Sequence, residues 1–169
     1  MTAPEPVSEE EQDDYRRVMA RLASGVSVIA VRQGSHDLAM TATSLVSVSI
    51  EPPTVLFCVH ADARLAEAVG PGRRWAVSIL AESGLADADW LATPGRPTLD
   101  QLGRVPHERG ELSGAAVLSN ASGWLECETD WVRQAATHDV VTGRVLTTGI
   151  APDRTGALVH HLGRLQSVR

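Results

Sequence analysis

The segment Cys58-Val59-His60-Ala61-Asp62-Ala63-Arg64 has the makings of an anion site. It follows Thr54–Val59, a continuous apolar run that reads as a buried strand, and leads into a short predicted helix, Ala63–Val69. A strand running into a helix N-terminus brings unpaired N–H groups and the positive end of the helix dipole to one point. Asp62 has the chemistry of an N-cap, and Gly70-Pro71 is a stop signal. Arg64 falls in the first turn, where its charge opposes the dipole. A bound phosphate would offset that cost, although a solvated arginine on an ordinary surface helix leaves the same pattern.

The stretch Met40–Ile50 alternates with period two. Thr41, Thr43, Leu45, Ser47 and Ser49 share one face, and Met40, Ala42, Val46, Val48 and Ile50 share the other. Such a strand offers a ladder of hydroxyls to a polar ligand and buries its apolar side. A plain solvent-facing strand has the same alternation.

Other chemistries lack their residues. There is no Gly-x-Gly-x-x-Gly after a strand and no Gly-x-x-x-x-Gly-Lys-[Ser/Thr] loop for a nucleotide. Neither a Gly-x-Ser-x-Gly elbow nor a His-Glu-x-x-His helix is present. Of six histidines only His160 and His161 adjoin, a weak metal signal, so no metal is expected. Cys58 and Cys127 lie far apart and form no metal or redox pattern. Cys58 reads as a small buried packing residue rather than a reactive thiol; Cys127 and Trp124 read as core.

The surrounding elements are short. Residues 1–13 read as a disordered acidic tail, with one domain over 14–169. Tyr15, Val18, Met19 and Leu22 recur at i, i+3, i+4 and i+7, an amphipathic helix. Val26–Val31 is a β-branched strand, followed by turn chemistry at 33–37 and a hairpin. Trp75–Leu80 reads as a strand, Leu85–Ala92 as a short helix and Thr93–Gly110 as loop. The last third reads as strands at Ala115–Leu118, Trp124–Trp131, Val140–Leu146 and Leu158–Leu165. Many short strands with few helices predict a barrel or sandwich, not a doubly wound sheet.

At 169 residues the chain is long enough for one sizeable core. No apolar run approaches a membrane span, and the acidic N-terminus is no secretory signal, so a cytoplasmic protein without structural disulfides is expected. A net charge of −6 argues against nucleic acid as partner. All fifteen basic residues are arginine. Any phosphate must therefore be gripped by arginine, histidine or backbone N–H, and the planar arginine fork suits the task.

Six blocks, in order, resemble the flavin reductase family over roughly residues 12–166. Ser24-Gly25-Val26-Ser27-Val28 is similar to its Thr-Gly-Val-Thr-Val strand. Met40-Thr41-Ala42-Thr43-Ser44-Leu45-Val46-Ser47-Val48-Ser49-Ile50-Glu51-Pro52-Pro53 is similar to its signature: Met-Thr-x-x-Ser-Phe, Ser-Val-Ser, an acidic residue and a proline pair. Val55–Val59, Trp75–Leu80, Gly123–Cys127, and His138 with Gly143-Arg144-Val145 resemble the later blocks. The departures are Ala39 for glycine, Leu45 for phenylalanine, and Ala136-Thr137 for the Gly-Asp before the histidine. In the closing segment Ala157 stands for proline, Val159 for an aromatic and Leu165 for tyrosine.

The resemblance implies a six-stranded split β-barrel of Greek-key type with a few flanking helices. It implies a homodimer with flavin near the dimer interface. It also implies hydride transfer from NADH or NADPH to FMN or FAD, with reduced flavin passed to a flavin-dependent monooxygenase. By the same resemblance Thr41, Ala42, Thr43, Ser44, Ser47 and Val48 contact the isoalloxazine and ribityl chain. Cys58, Val59 and His60 line the ring edge, Arg64 and Leu65 hold the phosphate, and Trp90 lies near the distal flavin. His138 and Gly163-Arg164 meet the nicotinamide nucleotide. A related split barrel acting as a pyridoxamine-phosphate oxidase or a deazaflavin-dependent reductase is the alternative, as is a non-enzymatic flavin-binding domain.

Overall fold

The computed structural model describes residues 7–93, 95 and 100–168. Helix α1, Glu9–Met19, opens with a capping box in which Ser8 and Glu11 each bond the other's backbone N–H. That box starts the helix inside the stretch read as a disordered tail, so Glu9–Asp13 are helical; residues 1–6 lie outside the described residues. The predicted apolar stripe exists but buries nothing within the chain: Tyr15 is 67% and Val18 66% exposed.

Strands β1 (Ser24–Gly25), β2 (Ser27–Gln33) and β3 (His36–Ala42) follow, with the expected hairpin turn between the last two. The predicted strand Met40–Ile50 is two strands, since β3 ends at Ala42 and β4 runs Val46–Ile50. Residues 43–45 form a corner. Strand β5 (Pro53–His60) leads to α2 (Arg64–Ala68), whose N-cap is Ala63 with no side-chain cap bond, so Asp62 does not cap it. Strand β6 (Arg74–Leu80) and a 3-10 turn (Glu82–Gly84) precede α3 (Leu85–Ala92). The expected loop 93–110 ends in β7 (His107–Arg109); residues 94 and 96–99 of it lie outside the described residues.

Strands β8 (Ala116–Leu118), β9 (Ala121–Ala135), β10 (His138–Ile150), β11 (Ala157–His161) and β12 (Arg164–Val168) complete the chain. The strand expected over Leu158–Leu165 is a hairpin. Its turn, Leu162-Gly163, has φ of 51° and 72°, the left-handed pair that suits a two-residue hairpin. Glycine at the second position relieves the strain that Leu162 alone must bear.

Hydrogen bonding orders the main sheet β3-β2-β6-β9-β10-β5-β4, antiparallel throughout its pairings. Smaller sheets are β1-β11-β12 and β7-β8. The fold is mainly β with a few helices, as expected. The expected six-stranded split barrel differs in strand count and closure: the main sheet has seven strands among the described residues and is open, its edges β3 and β4 not pairing. The corner at 43–45, which separates β3 from β4, sends them to opposite ends of the sheet.

One core packs Ile29, Leu38, Val55, Phe57, Trp75, Val77 and Val141 against α2. Phe57 and Trp75 meet edge to face at 5.0 Å. Trp75 donates to the Thr129 hydroxyl at 2.9 Å, which donates to the Val69 carbonyl at 2.8 Å. Gly143 has no side chain because the Trp75 ring occupies the place of its Cβ. A second core, Val26, Val28, Leu80, Leu91, Leu118 and Leu158, lies under α3. Burying each large side chain stabilises by ~1.5–3 kcal/mol. Cys127 is core as read, whereas Trp124 is only half-buried. No helix among the described residues is long and apolar enough to cross a membrane.

Candidate functional site

Helix α3 docks on β3 partly through a hydrogen bond in which the Thr41 hydroxyl donates to the Ala88 carbonyl at 2.7 Å. Ala88 and Leu91 are buried beneath it. The docked helix walls an open cavity of about 1040 Å³, bordered on the opposite side by the β11–β12 hairpin. Thr41, Thr43, Asp89, His160, Gly163 and Arg164 line it. The hydroxyl ladder and the closing segment, over a hundred residues apart, therefore face one space. Its size suits a ligand of drug size or larger.

The Thr41 hydroxyl is spent on α3, while Thr43 is exposed and makes no hydrogen bond among the described residues. Asp89 and Arg164 bring opposite charges to the cavity without pairing with one another. Asp89 is a residue that sequence reasoning missed. Its signal was the i, i+4, i+7 face of Leu85, Asp89 and Ala92.

A second cavity of about 260 Å³ is lined by Met40, Arg64, Leu65, Gln101 and Ala92. Ala92 lines both, so the two spaces adjoin. Trp90 stands behind this wall: its indole donates to the Gln101 carbonyl at 3.0 Å, and the Arg104 guanidinium lies 3.6 Å from its ring centroid. Gln101, buried, accepts the Ala39 N–H at 3.1 Å through its side chain.

Three predicted contacts turn inward. Ala42, Val59 and Leu65 are buried core side chains, although Leu65 also reaches the wall of the smaller cavity. Their burial follows from strand alternation and the inward face of α2. Ser44 is engaged with the backbone of Cys58. Ser47 and Val48 lie on β4, away from the two cavities. Ser47 lines a separate apolar groove of about 380 Å³ with Leu45, Ile50, Ile79 and Leu125.

His60 and His138 form a third group. They sit opposite one another at the ends of β5 and β10. Their rings meet edge to face with centroids 5.2 Å apart. Neither lines the cavities of α3. Burial, then the charge of Glu126, pushes the Cys127 thiol up to about 12, so it is no thiolate nucleophile. Among the described residues no His/Cys/Asp/Glu cluster could hold a metal ion.

Residues 19–169 match the flavin reductase like domain. The crystal structure of BorF, the flavin reductase component of a bacterial two-component tryptophan halogenase, is 34% identical. It covers 93% of this chain and 98% of its own, with a TM-score of 0.84. The NADH:FAD oxidoreductase SgcE6 of Streptomyces globisporus C-1027, solved with NAD and FAD fragments, is 32% identical over 96% of each chain, with a TM-score of 0.85. The reductase component of 4-hydroxyphenylacetate 3-monooxygenase from Thermus thermophilus is 31% identical over 134 residues, 79% of this chain and 82% of that protein.

Proposed function

The chain belongs to the flavin reductase like family, and from that premise we propose that it is an NAD(P)H:flavin oxidoreductase. It passes a hydride from NADH or NADPH to FMN or FAD and supplies the reduced flavin to a partner oxygenase. The observation that carries this reading is the adjoining pair of cavities. One presents Thr43 and Arg164 to a large ligand, and the other presents Arg64.

The bound flavin supplies the hydride acceptor. The residues of this chain do the positioning, which is where such a catalyst gains its rate. The Thr43 hydroxyl is available to hydrogen-bond the flavin. Thr41 acts one step back by fixing α3. Arg64 and the turn before α2 offer charge and N–H groups to the phosphate. Arg164, on the facing hairpin, offers a fork to the nicotinamide dinucleotide, and His138 orients the carboxamide. Cys58 and His60, at the end of β5, lie outside both cavities. No acid–base triad is required.

The chain works as a homodimer in this reading. Strand β4, predicted to bury its even face, exposes Val46 and Val48 by 50% each and Ile50 by 88%. Of these three, Ile50 also lines the apolar groove that runs onto Ile79 of β6 and Leu125 of β9. A second copy laid over Ile50 and this groove removes them from water. A β-bulge between Ser47 and Ser49 interrupts the β4 alternation, which is why the expected even-face burial fails within the chain.

NADH oxidation with purified protein, with and without added FMN or FAD, tests the activity. Flavin-dependent oxidation is expected, and saturable quenching of flavin fluorescence should accompany it. Protein that quenches flavin but never oxidises NADH or NADPH would be a flavin-binding domain instead.

A further inference from the structure

We propose that His60 is a positioning residue for the nicotinamide nucleotide, acting through the His138 ring. The proposal rests on the reading that His138 meets NAD(P)H. What it adds is that His138 does not act alone.

Both histidines are exposed, so core packing does not dictate their orientation. Yet each ring is held. The His60 Nδ1 accepts the Asp62 N–H at 3.2 Å, which fixes that ring and places the proton of its neutral form on Nε2. The Asp62 carboxylate lies 3.8 Å from the same nitrogen. The backbone beneath is tied across the strands, because the Ala61 N–H donates to the Thr137 carbonyl at 3.0 Å. The fixed His60 ring meets His138 at 5.2 Å and 68°, within the range of a favourable edge-to-face pair.

His138 is thereby held on two sides. Its Nδ1 lies 3.0 Å from the Thr137 hydroxyl, and the His60 ring limits its swing. Its Nε2 makes no hydrogen bond among the described residues. An exposed side chain left free must be ordered when ligand arrives, and that ordering is subtracted from affinity. Here the ordering is done beforehand by Asp62, His60 and Thr137. The Ala136-Thr137 pair, which departs from the family's Gly-Asp, supplies the hydroxyl.

A double-mutant cycle on the full chain tests this, reading the KM for NADH at saturating flavin. His60→Ala is expected to raise that KM roughly two- to tenfold, the range of one aromatic pair. In a His138→Ala background it should have no further effect, because the interaction is already gone. His60→Phe keeps a ring edge without the Nδ1 acceptor and should recover most of the loss. His60→Asn keeps an acceptor for the Asp62 N–H without a ring and should behave like alanine, which also covers the case of an alanine variant that fails to fold. Multiplicative KM effects of the two alanine changes would overturn the coupling while leaving His138 in the site. An unchanged KM in His138→Ala alone would instead remove His138, and the proposal with it.

Discussion

The hydroxyl of Ser44 is built into the backbone of β5 at Cys58. It accepts the Cys58 N–H at 2.9 Å and lies 3.3 Å from the Cys58 carbonyl, to which it donates. Strand β4 pairs with β5 only from Pro53 to Leu56. Beyond that point the outer edge of β5 has no strand neighbour, and Ser44 takes its place. The corner at 43–45 is thus pinned where the expected strand breaks.

Ser44→Ala should therefore destabilise the fold. The hydrogen bonds contribute ~0.5–1.5 kcal/mol, and stranding the Cys58 N–H adds to the loss. A urea unfolding midpoint measures it. The flavin affinity should fall too, because Thr43 is carried on the same corner. A variant as stable as wild type would show that the corner holds without the hydroxyl.

Thr41 and Thr43 should separate in the same assays. Thr41→Val removes the bond to Ala88 and should cost about 1 kcal/mol of stability, loosening α3. Thr43→Val removes an unengaged hydroxyl, so stability should stay within ~0.5 kcal/mol while flavin dissociation rises. Equal stability losses would contradict this division of labour.

Asp37 makes a pH prediction. Burial pushes its carboxyl upward, but the hydrogen bonds and charges of Arg109 and then Arg32 outweigh that and hold its pKa below the ordinary value. Arg109 grips it with both terminal nitrogens, one at 2.8 Å, and Arg32 donates at 2.9 Å. A folded pKa below the unfolded one of about 3.9 stabilises the protein above that pH. The contribution disappears as pH falls through the folded value. Asp37→Asn should be less stable than wild type at pH 7, with the gap closing below about pH 4. Melting temperatures across that interval measure it; a gap independent of pH would mean the ion pairs contribute nothing.

The legible parts of the fold were local. Strand β6, helix α3 and the β2–β3 hairpin are where composition put them, because their signals lie within a few residues. The break in 40–50 was hidden because Thr43-Ser44-Leu45 keeps the alternation, and the bond that makes the corner is to Cys58, fourteen residues on. Glu126 was passed over for the same reason. Its buried carboxylate accepts the Ser113 N–H at 2.7 Å and the Ser113 hydroxyl at 2.6 Å, and nothing in Leu125-Glu126-Cys127 announces partners that far upstream. The site residues split likewise: Thr43, Arg64 and Arg164 line the cavities, while the sequence did not show that Ala42, Val59 and Leu65 are buried in the core.

Arg64→Ala probes the phosphate end. Arg64 lines the smaller cavity at the first turn of α2. Loss of a charge-assisted hydrogen bond should weaken FMN binding by roughly 1–3 kcal/mol. Riboflavin lacks the phosphate and should be affected much less. Fluorescence titrations with both ligands give the comparison, and equal losses would show that the anchor lies elsewhere.

The exposed apolar side chain of Ile50 makes the last prediction. Ile50 is 88% exposed in the single chain, at the end of a strand whose Val46 and Val48 are half exposed. An isolated surface of this kind is costly in water and invites pairing. Light scattering at micromolar concentration should therefore report twice 18.0 kDa. Ile50→Asp sets like charges near a two-fold axis and leaves each without a partner, which disfavours the dimer strongly. The variant should scatter as a monomer. It should still show a cooperative melt, because Ile50 takes no part in either core. If flavin is held near the dimer interface, flavin affinity must fall together with assembly. Flavin fluorescence titrated across protein concentration tests the linkage: tighter apparent binding as the dimer forms is expected. A monomeric variant that binds and reduces flavin as well as wild type would separate the site from the interface.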